Sequence, residues 1–145
     1  MRIAKKRIEL GDMTFCLGID RNISAEVFEK YPDAILKQSE VGDKKAEILG
    51  DEKEYSVYEL AKEGKLTKIL KIENDLKELI RACVSFALPS MLEKAGEDKN
   101  IAKTILDFVE EYNIDEFYDA VWSFIIVGFT GEGQEEQKRP MFKMT

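Results

Sequence analysis

The chain has 145 residues, of which 44% are hydrophobic and 35% charged, and it carries a net charge of -7 with no histidine at all. That length suits one domain able to bury roughly two-thirds of its unfolded surface without disulfides or metals, and the composition is that of a folded protein. The acidic balance argues against nucleic-acid binding and against docking on an anionic membrane surface. The missing histidine removes Ser-His and Cys-His nucleophile schemes and most zinc sites.

Cys16 and Cys83 are far apart and form no C-x-x-C pair, so both are expected to be reduced thiols in a cytoplasmic protein. The basic start, Met1 to Arg7, is followed by no apolar segment of the signal-peptide kind. The longest apolar stretch, Ser123 to Phe129, falls far short of the ~20 residues that span a bilayer. No carboxylate pair stands out among the 29 Asp and Glu, so neither an enzyme nor a bound cofactor or metal is expected.

Residues 3–20 predict a β-hairpin. Gly11-Asp12 is a two-residue turn with glycine first, the type II′ signature. Leu10 then faces Met13, Ile8 faces Phe15, Lys6 faces Leu17 and Ala4 faces Ile19. One face is apolar except for Lys6, and a one-residue slip would mix the faces. A lone hairpin is marginal, so its apolar face must pack on helices or on another chain.

A short helix follows, capped by Asn22 or Ser24, with Val27, Phe28 and Tyr31 on its apolar face. Tyr31-Pro32-Asp33 ends it. Residues 33–53 read as a mobile insertion punctuated by Gly42, Asp43, Gly50 and Asp51, in which Ala46 to Leu49 is a strand or a turn of helix. Asp51 to Lys62 reads as helix, stopped by Gly64. The main helix runs from about Leu66 to Leu88 on a stripe through Ile69, Leu76, Ile80, Cys83 and Ala87, and Pro89 ends or kinks it. Asn100 is placed to cap a helix from Ile101 to Tyr112, and Asp115 to cap the last one, Glu116 to Phe129.

That last helix is apolar nearly all round. Phe117, Val121, Phe124, Ile125 and Phe129 lie on one side, and Trp122, Ile126 and Val127 on the other. Such a helix is central in the core or shared with a partner. After Thr130 a polar, glycine-containing run leads to Pro140-Met141-Phe142-Lys143-Met144, a loose tail over 131–145 whose apolar residues either dock on a partner or are simply exposed. Gly128 to Gly133 lacks the preceding strand and following Lys-Ser/Thr of a phosphate loop. The fold class is therefore mainly α, with an N-terminal β-hairpin packed on a helical bundle, in one domain over 1–130.

The Lys6–Phe15 hairpin, the segment Val84 to Leu92, and the acidic stretch Ile105 to Trp122 leading into Gly128-Phe129 together resemble the tail assembly chaperones of long-tailed bacteriophages, particularly those of Gram-positive hosts. The resemblance covers the plan of the whole chain and rests on no diagnostic motif. It implies a non-catalytic, mostly helical protein in the host cytoplasm. Such a protein binds the tape-measure protein during tail assembly, keeps it soluble, leaves before the virion is complete, and often self-associates. In such proteins a translational frameshift often gives a longer second product, and the tail after Thr130 is where such an extension could begin. The residues expected to bind a protein partner are Trp122, Phe124, Ile126, Val127 and Phe129, with Phe15 and Leu17 of the hairpin behind them. The alternative is an acidic inhibitor or nucleic-acid mimic acting on a host defence protein. Lysines interspersed among the carboxylates favour an ordinary solvated surface over that role.

Overall fold

A computed structural model describes residues 4–49 and 57–131. The predicted hairpin's first position, Ile3, the segment 50–56 and the predicted tail from 132 onward lie outside the described residues. The fold is mainly helical with the hairpin at its start, as the sequence predicts.

Strands β1 (Ala4–Leu10) and β2 (Met13–Ile19) pair antiparallel in the predicted register, with Leu10 opposite Met13 and Ala4 opposite Ile19. Gly11 takes φ +59, as a glycine-first turn requires. The period-2 pattern decides which side is buried. Ala4, Ile8, Leu10, Phe15, Leu17 and Ile19 are all in the core. Lys6, the exception on that face, is half-buried, and burial pulls its ammonium pKa below the ordinary value.

Helix α1 (Arg21–Lys30) is capped by Asp20, one residue after the strand, and by neither Asn22 nor Ser24. Asp20 Oδ1 accepts from the Ile23 N–H at 2.9 Å, and Oδ2 pairs with Lys94 Nζ at 3.1 Å. Ser24 is instead buried, and its hydroxyl donates across to the Ile125 carbonyl at 2.6 Å. Burial pushes the Asp20 carboxyl pKa up, but the bonds from Ile23 and Lys94 more than offset this and leave it below the ordinary value. A depressed carboxylate stabilises the fold above its unfolded pKa of about 3.9, and that contribution is lost as pH falls through the folded value. Asp20→Ala is therefore expected to cost about 1 kcal/mol near neutral pH. The cost should vanish in urea titrations well below about pH 4; a cost that persists there would exclude the charge as its source.

Residues 33–49 are not an insertion. Helix α2 (Pro32–Leu49) opens on Pro32, whose missing N–H is no loss in a first turn. Ala34, Lys37, Val41, Lys45 and Ile48 form its inner stripe at spacings of three and four, all buried or half-buried. Two lysine stems stand in for apolar residues there. Gly42 lowers helix propensity by about 1 kcal/mol without breaking the helix. Positions 46–49, left open between strand and helix, are helical.

Helix α3 (Val57–Lys62) ends where expected, with Gly64 at φ +72 and the Lys65 N–H bonded back to the Leu60 carbonyl. Helix α4 (Leu66–Lys94) continues through Pro89 instead of stopping before it. Its apolar stripe does not end at Leu88. Met91 and Leu92 carry it one turn further into the core, and their burial outweighs the hydrogen bond that proline removes. Gly18 allows that last turn close to β2: a Cβ there would sit 3.1 Å from the Lys94 and Ala95 backbone.

A 3-10 turn (Lys99–Ile101) is capped by Asp98, not Asn100, and precedes α5 (Ala102–Glu111). In α6 (Asp115–Thr130), Asp115 lies inside the first turn and is not the cap; it pairs with Arg81 at 2.8 Å. Phe117, Tyr118, Val121, Trp122, Phe124, Ile125 and Gly128 of α6 are buried between the hairpin, α1 and α4. The apolar girth predicted for this helix reflects its central position.

Candidate functional site

Four of the seven residues expected to bind a partner are core residues. Phe15, Leu17 and Phe124 are at most 2% exposed, and Trp122 is 4% exposed. Phe15 and Leu17 belong to the hairpin face that closes on the helices, and Phe124 to the inner side of α6. None of these three can touch a partner while the fold is intact. Ile126 and Val127 are half-buried, and Phe129 is 38% exposed.

What remains of the predicted surface opens on an apolar groove of about 530 Å3. Phe28 of α1, Ile35, Gln38 and Ser39 of α2, and Trp122, Ile126, Phe129 and Thr130 of α6 line it. Its geometry is set by aromatic packing. Phe28 sits edge-on to Phe129 at 5.4 Å and to Trp122 at 6.0 Å, so one α1 side chain holds two α6 rings in place. The Arg21 guanidinium lies 5.2 Å from the centre of the Phe129 ring. The Trp122 indole N–H donates to Gln38 Oε1 and satisfies the one polar atom of that side chain. Ile35 of α2 is 45% exposed on the groove's rim. Two walls were missed by the sequence reading. The α2 wall falls in the segment that reads as an insertion, and the sequence places Phe28 only on the apolar face of α1.

Elsewhere the polar side chains form locks. Arg81 bridges Asp115 at 2.8 Å and Glu110 at 3.8 Å, and its guanidinium lies 5.2 Å from the Tyr118 ring centre. The Tyr118 hydroxyl donates to Glu110 at 2.6 Å. Burial first, and then this bond to a carboxylate, push the Tyr118 pKa well above its ordinary value. The cluster ties α4, α5 and α6 together and leaves almost no space for a ligand. Burial also pushes the Cys83 thiol up to about 11, which keeps it protonated and unreactive near neutral pH.

Among the described residues, no three metal-ligating side chains come together, and no helix is long and apolar enough to cross a membrane. No protein family, curated protein or solved structure matches this chain.

Proposed function

We propose that the chain is a non-catalytic assembly chaperone that holds an amphipathic helical segment of a client protein in the groove between α1, α2 and α6. In the reading that the phage resemblance suggests, the client is the tape-measure protein and the setting is the bacterial cytoplasm. The groove itself is the observation that carries the proposal. It offers aromatic walls, an exposed aliphatic rim at Ile35, and two polar side chains, Gln38 and Ser39, to fix orientation. A net charge of -7 keeps such an apolar surface soluble. Self-association belongs to the same proposal. Val57 and Tyr58 of α3 and Leu70 of α4 are 71%, 73% and 54% exposed and do not line the groove.

The test uses the full chain and a designed, leucine-striped amphipathic peptide, with Trp122 fluorescence as the signal. Ile35→Asp combined with Phe129→Asp is expected to weaken binding at least about tenfold, since each places a charge where an apolar anchor would seat. Circular dichroism and urea unfolding check that the double variant keeps its fold, since Phe129 also packs on Phe28. Wild-type affinity in the double variant would remove the groove from the mechanism. Co-expression with a tape-measure protein then tests the client: the chaperone should raise its soluble yield, and the double variant should not.

A further inference from the structure

We propose that α2 is a hinged wall of the groove, swinging about Tyr31 and Pro32 to bare the Trp122 indole to an apolar occupant. The inference rests on the groove being a binding site, and adds how it opens. Trp122 lines the groove yet is only 4% exposed: Phe28 of α1 packs edge-on to it, and Gln38 of α2 accepts from its indole nitrogen at the groove side. A partner can use the largest aromatic surface of the groove only if Gln38 withdraws.

The attachment of α2 fits that role. It packs on α4 through a stripe that is mostly half-buried, with one buried side chain, Ala34, in 18 residues, whereas α6 buries six side chains and Gly128 in 16. Its Lys45–Glu73 pair to α4, at 3.2 Å, joins side chains that are 39% and 36% exposed, and such pairs contribute little. Gly42 weakens the helix at its middle. The link to α1 is a single residue. Tyr31 leaves helical geometry at φ -128, ψ 62, and Pro32 has no N–H with which to continue the α1 ladder. The Tyr31 ring is held edge-on to Phe86 at 6.0 Å, so the pivot stays in place while the helix beyond it can turn.

Trp122 is the one tryptophan in the chain, so its fluorescence reports the event directly. Gln38 is exposed, and Gln38→Ala removes the acceptor without disturbing the core. In the full chain this substitution is expected to raise acrylamide quenching of Trp122 by about 2- to 10-fold, the effect of removing one hydrogen bond from the closed state. Amides of α2 should exchange at least about tenfold faster than those of α6, and the dye bis-ANS should bind the variant more tightly. If α2 exchanges as slowly as α6 and quenching is unchanged in Gln38→Ala, the hinge is overturned. Binding of bis-ANS with Trp122 still shielded and α2 still protected also overturns it, while leaving the groove as a site. Quenching that responds to Gln38→Ala without any bis-ANS binding supports the hinge and removes the groove reading instead.

Discussion

Phe15→Ala is expected to destabilise the protein by about 3–5 kcal/mol, a large part of the roughly 5–15 kcal/mol that holds a domain together. Phe15 is 2% exposed, at the middle of β2 and opposite Ile8, on the hairpin face that closes against α4 and α6. Truncation removes a ring from a packed interior that can refill only in part. Urea denaturation measures the loss, and heating should show a fall in Tm of roughly 10–20 °C. The variant also separates two roles for the hairpin. If Phe15 acts through the core, peptide binding falls only in step with the fraction unfolded. A fully stable Phe15→Ala protein that no longer binds would place Phe15 at the contact surface, against the burial seen here.

The hairpin was legible because two independent constraints agree. Glycine at the first turn position fixes which residues pair, and the alternation from Ala4 to Ile19 fixes which face is buried. Helix α2 was not legible, for an equally local reason. Its stripe of Ala34, Lys37, Val41, Lys45 and Ile48 has helical spacing but too few apolar members to stand out beside Gly42 and Asp43. The amphipathic use of lysine stems shows only once the neighbouring helix is in place. Cap positions failed in a different way. Asp20, Asn22 and Ser24 are all good N-cap types, and composition does not say which one the strand delivers to the helix start. The fold answers through Lys94, which reaches Asp20 from the far end of α4.

The site was half legible. A surplus of apolar surface on α6 is visible in the sequence, and Trp122, Ile126 and Phe129 do line the groove. Phe124 shows the limit. On a helix that is apolar nearly all round, periodicity sorts side chains into faces but does not say which face is already covered. The other walls come from α1 and α2, brought to α6 by tertiary packing alone. Phe28 gives no sequence signal that distinguishes a groove wall from an ordinary core residue, and Gln38 gives none at all.

Gly128→Val is expected to destabilise the fold by overpacking α6. A Cβ at position 128 would lie 2.6 Å from Ile19 Cγ1, 2.9 Å from Ile19 Cγ2 and 3.0 Å from Ser24 Oγ. Here α6 passes so close to the end of β2 and the first turn of α1 that no side chain fits between them. Relief requires Ile19 to leave its place in the core, or Ser24 to give up its 2.6 Å bond to Ile125. Overpacking costs about 1–3 kcal/mol, and valine adds two methyl groups where the first carbon already has no room. The lost hydrogen bond adds about 1 kcal/mol. Replacing glycine inside a helix recovers at most about 1 kcal/mol, so the net expectation is a loss of roughly 1–3 kcal/mol in urea unfolding. Gly42 supplies the opposite sign. It also lies inside a helix, but an added Cβ would meet nothing within 4 Å. Gly42→Ala is therefore expected to stabilise by roughly 0.5–1 kcal/mol. Equal effects at the two positions would mean that helix propensity, and not the close approach of α6 to β2 and α1, governs glycine at 128.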